Sequence, residues 1–317
     1  KMKGLAKEDS RIRLFSLGEN LGAPAARNLG MDRARGKYLY FFDSDDYLCR
    51  SALEVLFDEA ERRAVPIVRG GYVRHDPSWV HVYENLTEER RVIDSIEDGN
   101  ASRFLGGTWT FLLLRRWLEE KEIRWLDSSV CNDVLFNAQV LANAGKIALI
   151  DRILLFRSLR EDCITLASWT PHRLSDYLMV REKTVEILGA HQDFLDEQML
   201  HWLRHPFHRG RFRRAKSTLT LEQFKSGLAR LIGLYHRCDE RLQRLLSLNE
   251  ARKRIPEEET FCDYILQGDL PRACDALVSE SEFEPKPKPK SNPKSESKSN
   301  PKSESKSNPK SESKEVV

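Results

Sequence analysis

The sequence predicts an α/β protein in which strands and helices alternate and pack in layers. Residues 11–15 (RIRLF) alternate polar and apolar side chains, which is typical of a half-buried strand. A Gly- and Ala-rich helical segment separates them from a continuous apolar run at residues 38–42 (YLYFF), and an amphipathic helix at residues 51–63 follows. Strand, helix, strand and helix in this order favour a layered α/β fold over a helix bundle.

The first helix is expected to begin near Pro24 and to end at Gly30, since Pro is compatible with a first turn and Gly commonly ends a helix. The run at residues 38–42 is bulky throughout, which predicts a central parallel strand that is buried on both faces. The helix after it should carry a capping box formed by Ser51 and Glu54, together with one apolar face. That face consists of Leu53, Leu56, Phe57 and Ala60.

The remaining pattern continues the α/β alternation and then becomes helical and charged. Further strands are predicted at residues 66–73, 80–84, 146–150 and 153–156, the last two as an extended pair, and a helix at residues 132–144. Beyond about residue 169 helices are predicted at residues 174–188 and 220–248, the second opened by a capping box of Thr220 and Gln223. Gly268 and Pro271 separate two more helices. We therefore predict three regions: residues 1–168, a helical region at 169–282 and a tail at 283–317.

The tail contains three tandem SNPKSESK repeats that begin at residues 291, 299 and 307. The repeats have no aromatic or branched apolar residue, so burial cannot offset the entropy of ordering them, and disorder is predicted. Residues 284–317 contain 9 Lys and 5 acidic residues, whereas the rest of the chain contains 43 Lys and Arg against 44 Asp and Glu. A nearly neutral body gives no support for nucleic acid binding.

The cysteines and the apolar runs indicate a cytoplasmic protein. Six cysteines are widely scattered without a CxxC pair, which favours reduced thiols over a metal finger, although a disulfide remains compatible with the spacing. No apolar run reaches the roughly 18 residues that a membrane-spanning helix needs. No signal-peptide pattern opens the sequence.

Three carboxylates follow the apolar run at residues 38–42, at Asp43, Asp45 and Asp46 of the motif DSDD. Ligand sites of open α/β sheets lie beyond the carboxyl ends of the strands. Carboxylate oxygens are also the ligands that hard divalent cations prefer. The motif therefore predicts a site for a cation and a phosphate group, with solvated loop acids as the alternative.

Two other cation chemistries fit the DSDD motif less well. An EF-hand loop needs Gly at its sixth position, which is Leu48 when counted from Asp43. The motif also resembles the DxD of haloacid-dehalogenase-like phosphatases, in which Asp43 would be the nucleophile. Tyr47 departs from that pattern, because the family usually has Thr or Val there.

A longer segment, ENLGAPAARNLGMDRARGKYLYFFDSDDYL, resembles the family 2 glycosyltransferases of GT-A fold. The family pattern is N-x-G-x-x-x-A-R-N-x-G, then A-x-G-x-Y, an apolar strand and DxDD. It is matched by Asn20, Gly22, Ala26, Arg27, Asn28, Gly30, Ala34, Gly36, Tyr38 and the Asp cluster. The resemblance covers about residues 5–168 and implies a GT-A-like mixed sheet with flanking helices.

The resemblance implies a role for each matching residue. Asp43 and Asp45, with Asp46 near, would hold Mg²⁺ or Mn²⁺ against the diphosphate of a nucleotide-sugar. Arg27 and Asn28 would lie at the nucleotide, where the guanidinium fork suits an anionic or carbonyl partner. A surface helix arginine is the alternative for Arg27.

Asp133 matches the Asp of an E-D pair in the family, which implies a general base for the acceptor hydroxyl. The Glu of that pair is Asn132 here. The alternative is that one of the two side chains caps the helix that begins there. Trp109, Arg157 and Arg160 lie in segments that line donor or acceptor sites in the family, although core packing and surface pairing explain them equally well.

A basic segment at residues 201–216 contains six Lys or Arg and three His. A metal site from His201, His205 and His208 is one interpretation, but Pro206 interrupts the helix that would align them. A solvated basic face is favoured over that site. Its functional counterpart is attraction to an anionic membrane or to a lipid-linked acceptor.

Family members begin with strands that end in P-T-Y-N-like and D-D-G-S-like turns, and nothing before Arg11 matches either of them. A crossover unit of this kind takes roughly 30 residues. We therefore expect that the sequence lacks its N-terminal nucleotide-binding strands, either as a truncated copy of a complete enzyme or as a true fragment that is inactive alone.

The expected function is a metal-dependent, inverting transfer of a sugar by a hexosyltransferase-type enzyme. The donor would be a nucleotide-sugar, most simply a UDP-sugar, and the acceptor a saccharide or a lipid-linked saccharide of bacterial surface polysaccharide or lipopolysaccharide. The protein would be cytoplasmic, with peripheral association at the anionic inner face of the membrane as a further expectation. A phosphatase and a non-catalytic interaction protein are the alternatives.

Overall fold

The computed structural model describes residues 2–76, 79–83, 91–93, 105–158, 169–191, 218–236 and Arg272. The helices in these ranges are α1 (Met2–Glu8), α2 (Gly22–Arg33), α3 (Ala52–Arg63), α4 (Arg115–Glu120), α5 (Asn132–Asn143), α6 (Pro171–Leu188) and α7 (Leu221–His236). The strands are β1 (Tyr38–Tyr40), β2 (Tyr47–Leu48), β3 (Ile67–Asp76), β4 (Trp79–Tyr83), β5 (Arg91–Ile93), β6 (Phe111–Leu114) and β7 (Ile147–Ser158). A 3₁₀ turn covers Thr108–Thr110.

The strands form one mixed sheet in the described part of the chain. Its order is β1-β6-β3-β7-β2, with β4 beside β3 and β5 beside β7. The two long strands β3 and β7 run parallel to each other, and every other pairing is antiparallel. This arrangement confirms the predicted mixed sheet and places β3 and β7 at its centre.

Two hydrophobic clusters cover the two faces of the sheet. Along β3, Ile67 belongs to the cluster under α5, α6 and α7, whereas Val68 belongs to the cluster under α3. Along β7, Leu149 and Ala148 divide in the same way. Side chains of a strand alternate between faces, so a strand covered on both faces must be apolar at nearly every position.

The position of β1 differs from the prediction of a central parallel strand. It pairs antiparallel with β6 and lies at one edge of the described sheet. Leu39 and Phe41 pack against the first cluster, and Tyr38 and Tyr40 pack against the second. The continuous apolar run therefore indicated correctly that side chains on both faces of this strand pack against hydrophobic clusters. It did not indicate how many strands lie beside it. Phe42, predicted to be buried, is 48% exposed.

The predicted strand at residues 11–15 is wrong, because this segment has no strand partner in the described residues. Arg11 folds back onto Asp9 through its backbone N–H and its guanidinium. Phe15 stays half exposed and lies beside the guanidinium groups of Arg13 and Arg33. Alternation alone does not make a strand where no neighbouring edge satisfies the backbone groups.

Two helix ends also differ from the prediction. Helix α2 continues through Gly30 to Arg33, and the buried side chain of Met31 anchors this extra turn. Ser51 precedes α3 but forms no side-chain cap, so the predicted capping box with Glu54 is absent. Pro24 lies in the first turn of α2, as predicted.

The predicted apolar face of α3 is half right. Leu56 and Ala60 are buried, whereas Leu53 and Phe57 are almost half exposed. The buried face is instead completed by Ala52 and by Glu59, whose carboxylate accepts hydrogen bonds from the arginines at the end of the helix.

Other predictions are confirmed. Helix α5 and strands β3 and β4 occupy the predicted segments, and the two extended segments predicted at residues 146–150 and 153–156 are one continuous strand, β7. The capping box before α7 is formed: the Thr220 N–H donates to Gln223 Oε1 at 3.0 Å, and the Gln223 N–H donates to Thr220 Oγ1 at 3.2 Å. The division predicted at residue 168 stays a prediction, and the segments after residue 236, including the repeats, lie outside the described ranges apart from Arg272.

Three further features concern the described residues as a whole. They all lie within the unit Lys1–Phe283. Of the cysteines, Cys49 and Cys131 are described, and neither forms a disulfide. In the described ranges, no helix combines the length and the apolar character that crossing a membrane requires.

Candidate functional site

The DSDD motif forms a tight turn between the end of β1 and β2. The Asp46 N–H donates to the carbonyl oxygen of Asp43 at 3.2 Å, and Asp45 lies partly buried within the turn. Strand β2 pairs with the end of β7, so the turn brings the acidic residues between the end of β1 and Ser158 of β7. The acids therefore lie beyond the end of β1, which is an antiparallel edge strand of the described sheet and not the predicted central parallel strand.

Arg27 of α2 connects the acidic turn to the start of α5. Its Nη2 donates to Asp43 Oδ1 at 2.9 Å, and its Nη1 donates to Asn132 Oδ1 at 2.9 Å. Both side chains of the ion pair are partly buried, with 22% of the Arg27 and 33% of the Asp43 side chain exposed. Arg27 is therefore not a freely solvated arginine of a helix surface, and its contact with a nucleotide stays a prediction.

An aromatic stack packs against the guanidinium of Arg27. The guanidinium carbon lies 4.3 Å from the centroid of the Trp125 ring. Trp125 in turn stacks on Phe136 at 4.3 Å between centroids with 13° between the ring planes, and Phe41 meets both rings edge-on. Planar guanidinium groups stack well on aromatic faces, so this arrangement fixes the plane of the fork that Arg27 presents.

Asn28, the neighbour of Arg27, holds Trp125 in place. Its Nδ2 donates to the Trp125 carbonyl oxygen at 2.8 Å, and its Oδ1 accepts from the Trp125 N–H at 3.0 Å. Both ends of the amide are thus occupied by backbone groups. A direct contact of Asn28 with a nucleotide stays a prediction, and its geometry supports Arg27 through Trp125.

A second guanidinium and tryptophan stack lies on the other side of the acidic turn. The guanidinium carbon of Arg157 on β7 lies 3.9 Å from the centroid of the Trp109 ring. Tyr72 meets the Trp109 ring edge-on at 6.3 Å. The positive charge of Arg157 also acts on Asp46. The two outer acids of the motif, Asp43 and Asp46, therefore each have an arginine nearby that rests on a tryptophan.

Asp46 is the most deeply buried acid of the turn, with 7% of the residue exposed. Its Oδ1 accepts from the Ser158 N–H at 3.3 Å, whereas Oδ2 is buried and receives no hydrogen bond. Burial raises the pKa of Asp46 to about 6, against the opposing effects of Arg157 and the Ser158 N–H, and the charges of Asp43 and Asp45 raise it further. Burial, together with the charge of the same carboxylate, also raises the pKa of Tyr40.

Asp133 lies in the first turn of α5, next to the residue that binds Arg27. The N-cap position of this helix is Cys131, which has a left-handed φ of 52° and makes no side-chain cap. Neither Asn132 nor Asp133 is therefore the N-cap residue. Asp133 Oδ1 accepts from the Val134 N–H at 3.1 Å, and its Oδ2 accepts from the Gly107 N–H at 3.4 Å.

Gly107 connects Asp133 to the Trp109 side of the site. Its φ of 81° lies in the left-handed region, and a Cβ at this position would contact the Trp109 ring at 3.5 Å. The Gly107 carbonyl oxygen accepts the Thr110 N–H at 3.0 Å, which closes the 3₁₀ turn, and it also accepts from Thr110 Oγ1 at 2.8 Å. A residue without a side chain is therefore needed to hold Trp109 and the Asp133 carboxylate in this relation.

The structure brings together most of the residues that the sequence singled out. Through Arg27 and Asn132 it joins Asp43 to the helix of Asp133, and through Arg157 it joins Asp46 to Trp109. Arg160 and the basic segment at residues 201–216, with His201, His205 and His208, lie outside the described residues.

Sequence reasoning missed the roles of Trp125 and Asn132. Asn132 was noticed as a departure from the family's Glu, but its bond to Arg27 joins positions 105 residues apart. Trp125 lies in an irregular segment, where a buried tryptophan is most simply explained by packing. No local pattern distinguishes that explanation from a support for an arginine.

The acidic turn offers the carboxylate oxygens that would hold a cation, and such a cation stays a prediction. Among the described residues, no group of three or more His, Cys, Asp or Glu side chains is arranged to hold a metal ion. The buried Asp46 Oδ2 nevertheless receives no hydrogen bond, and a carboxylate oxygen of this kind is a suitable ligand for a cation. Mg²⁺ usually binds through one or two carboxylates, together with waters and substrate phosphates.

Comparison with known proteins agrees with the sequence motifs. Residues 1–120 match the family model described as Glycosyl transferase family 2. The chain is 28% identical over 153 residues to EpsJ of Bacillus subtilis strain 168, a glycosyltransferase described as uncharacterised, covering 46% of this chain and 44% of that protein. It is 33% identical over 96 residues to TuaG of the same organism, named as a candidate teichuronic acid biosynthesis glycosyltransferase, covering 28% of this chain and 38% of that protein. The chain thus spans less than half the length of either relative.

Among solved structures, the chain is similar to S. aureus TarS residues 1–349 in complex with UDP-GlcNAc. The TM-score is 0.66 at 16% sequence identity, and the match covers 89% of this chain and 79% of that one. At this identity the likeness establishes the fold, and it confirms the fold class that the sequence predicted.

Proposed function

We propose, from the match of residues 1–120 to the glycosyl transferase family 2 model, that the protein transfers a sugar from a nucleotide-sugar donor to a saccharide or lipid-linked acceptor. One observation carries the proposal beyond the family match. Arg27 joins the acidic turn to the first turn of α5, so a guanidinium, a group of carboxylates and the candidate base Asp133 belong to one connected site.

The donor side of the site consists of the acidic turn and Arg27. Asp43 and Asp45, with Asp46 near, are the proposed ligands of Mn²⁺ or Mg²⁺, which when bound would neutralise the charge that grows on the departing diphosphate. Arg27 offers a planar fork of N–H donors to an anionic or carbonyl group of the nucleotide. A UDP-sugar is the proposed donor, because the similar TarS structure holds UDP-GlcNAc.

Asp133 is the proposed general base. Its carboxylate would accept the proton of the acceptor hydroxyl as that oxygen attacks the anomeric carbon and the bond to the nucleoside diphosphate breaks. A single in-line displacement of this kind inverts the anomeric configuration.

Trp109 of the 3₁₀ turn and Arg157 of β7 are proposed to border the same site. Arg157 rests on the Trp109 ring, so the pair presents a cation whose position is fixed. Arg160 is proposed for the same side from the sequence alone. Transfer of a hexose and binding of a saccharide acceptor are likewise proposed.

The proposed process is the synthesis of a bacterial surface polysaccharide, with TuaG as the relative that supports it. A lipid-linked acceptor would bring the protein to the anionic inner face of the membrane, where the basic segment at residues 201–216 would be attracted to the lipid headgroups. Binding of the 317-residue chain to anionic vesicles at low salt, and its release at high salt, are the expected results.

Ligand-dependent thermal stability is the direct test of a donor site. A ligand that binds the folded state raises the unfolding free energy, by about 2.7 kcal/mol at a hundred times its dissociation constant. We expect UDP-sugars with Mn²⁺ to raise the midpoint for the wild type and to raise it less for Asp45→Ala. Asp58→Ala on the exposed side of α3 is the matched control and should respond like the wild type.

The two alternative functions give different results in the same experiment. A phosphatase with Asp43 as nucleophile would release phosphate from an ester without any sugar donor. A non-catalytic interaction protein would show no midpoint shift with any nucleotide-sugar, and that outcome would contradict the proposed transferase.

A further inference from the structure

We propose that Arg69 is a positioning residue: through a chain of three hydrogen bonds it fixes the N–H group that binds the carboxylate of Asp133. The two residues between them are Thr110 and Gly107. This inference rests on the proposed function, in which Asp133 accepts the proton of the acceptor hydroxyl. The role of Arg69 is carried by the two residues between it and that carboxylate.

Arg69 places a positive charge inside the central strand β3, directly after the fully buried residues Ile67 and Val68. In the register of the sheet it lies beside Phe111 of β6 and Leu149 of β7, and 6% of the residue is exposed. Its guanidinium carbon lies 5.5 Å from the centroid of the Phe111 ring. Because burial of a charge is costly without polar partners, the hydrogen bonds of Arg69 determine which groups around it are held in place.

The chain of hydrogen bonds begins at Arg69 Nε, which donates to Thr110 Oγ1 at 3.0 Å. The hydroxyl donates in turn to the Gly107 carbonyl oxygen at 2.8 Å. A guanidinium N–H can only donate, so the hydroxyl accepts from Arg69 and keeps its own proton for Gly107. Arg69 and Thr110 are both buried, which limits competition by water for these two bonds.

Gly107 is the residue whose conformation these bonds fix. Its φ of 81° lies in the left-handed region, and without a side chain its backbone has more freedom than that of any other residue. Its carbonyl oxygen accepts from both the hydroxyl and the N–H of Thr110, and its own N–H donates to Asp133 Oδ2 at 3.4 Å. Loss of the Thr110 hydroxyl therefore reaches the Asp133 carboxylate through the rotation of one glycine.

A second set of hydrogen bonds ties the same 3₁₀ turn to helix α5. Thr108 Oγ1 donates to Asn137 Oδ1 at 2.8 Å, and Asn137 Nδ2 donates to the Leu105 carbonyl oxygen at 3.0 Å. Asn137 is fully buried and lies four residues after Asp133, so the two side chains are neighbours on the helix. The turn is thus attached to α5 through Asn137 and to β3 through Arg69, and loss of the β3 attachment is expected to release one end of it.

The test uses two substitutions of Thr110 that differ in the hydroxyl: Thr110→Val removes it and keeps the branched shape, whereas Thr110→Ser keeps it. The assay is UDP release from UDP-GlcNAc, UDP-glucose and UDP-galactose by the full 317-residue chain with Mn²⁺, with water as the acceptor. We expect Thr110→Val to lower turnover by about 10- to 100-fold, since a small displacement of a reacting group is costly. The KM for the UDP-sugar should stay within about twofold of the wild type, and Thr110→Ser should retain most of the turnover.

A double-mutant cycle tests whether the chain of hydrogen bonds acts through Asp133. If it does, Thr110→Val should lower turnover by less than about twofold once Asp133→Asn is present. Arg69→Met removes the first donor and keeps an unbranched side chain, so it should reproduce Thr110→Val in both backgrounds. Thr184→Val is the matched control, because it removes a buried hydroxyl that donates to the Val180 carbonyl oxygen on α6, and it should leave turnover unchanged.

Hydrogen exchange of the Gly107 amide measures the positioning without any reaction. We expect this amide to exchange at least about fivefold faster in Thr110→Val than in the wild type, because its carbonyl anchor is weakened. Thr110→Ser and Thr184→Val should exchange there like the wild type. Circular dichroism establishes that each variant is folded, and if Arg69→Met does not fold, the two substitutions of Thr110 still decide the role of the hydrogen-bond chain.

The outcomes separate this inference from the function on which it rests. A wild type that releases UDP from none of the UDP-sugars would overturn the proposed function, and the exchange rate of Gly107 would still decide the positioning role of Arg69. An active wild type whose Thr110→Val variant keeps full turnover, or loses as much again in the Asp133→Asn background, would overturn the role of Arg69 alone. Lower turnover with faster exchange in Thr110→Val, and neither change in Thr184→Val, would support it.

Discussion

Replacing Asp46 with Asn should stabilise the protein at neutral pH, and the gain should disappear in acid. The pKa of this buried carboxyl is raised from 3.8 to about 6. A folded-state pKa above the unfolded one means that the folded chain binds the proton more tightly. The associated stability is complete below about pH 3.8 and is lost as the pH rises through about 6.

The size of the effect follows from the difference between the two pKa values. One pKa unit corresponds to about 1.4 kcal/mol, so ionised Asp46 lowers the unfolding free energy by at most about 3 kcal/mol. Asp46→Asn keeps an oxygen that can accept from the Ser158 N–H and removes the charge. We therefore expect the stability difference between variant and wild type to grow by up to about 3 kcal/mol from pH 4 to pH 7.5.

Urea unfolding of the full chain at a series of pH values measures this difference, with a chelator present so that no cation binds the turn. Asp46→Ala is the control, because it also lacks a titrating group but leaves a gap. The difference between the Ala and Asn variants should be the same at every pH, whereas each should diverge from the wild type. A constant difference between Asp46→Asn and the wild type from pH 4 to pH 7.5 would refute the raised pKa.

Three further substitutions test other parts of the site. Asp133→Asn should lower the turnover of sugar transfer by about 10²- to 10⁴-fold, the usual contribution of a general base, and leave the midpoint shift with donor unchanged; equal turnover would contradict its role. Gly107→Ala forces a left-handed residue and should lower the unfolding free energy by about 1–2 kcal/mol, whereas Gly106→Ala, which has open space at its Cβ, should change it little in the same urea titration. Asn28→Ala removes both hydrogen bonds to the Trp125 backbone, so it should cost about 1–3 kcal/mol of stability and weaken UDP binding in calorimetry. Full stability with unchanged affinity for UDP would show that Trp125 needs no such support.

The sequence predicted most of the elements because apolar runs and capping patterns are local. The reciprocal bonds of Thr220 and Gln223 depend on two residues three apart, and the structure forms them as predicted. The place of β1 in the sheet depends instead on which strand lies beside it, and β6 is 70 residues or more away in sequence. Its hydrophobicity therefore could not distinguish an edge strand from a central one.

The site divides in the same way between local and distant information. The acidic turn and Arg27 follow from a motif within 20 residues, so their convergence could be expected. The partners that fix Arg27 in place, Trp125 and Asn132, come from segments about 100 residues further along the chain. Only the packing of α5 against the sheet brings them to the motif, and single-sequence patterns do not contain that packing.

The two tryptophans that contact arginines also make ligand binding at the site measurable by intrinsic fluorescence. Indole emission responds to nearby charge, and Trp125 and Trp109 each carry a guanidinium within 4.3 Å of the ring centre. Any movement of Arg27 or Arg157 toward a ligand changes the field at one of these rings. The chain therefore contains its own fluorescent reporters, and occupancy of the acidic turn can be followed without a label attached to the protein or to the ligand.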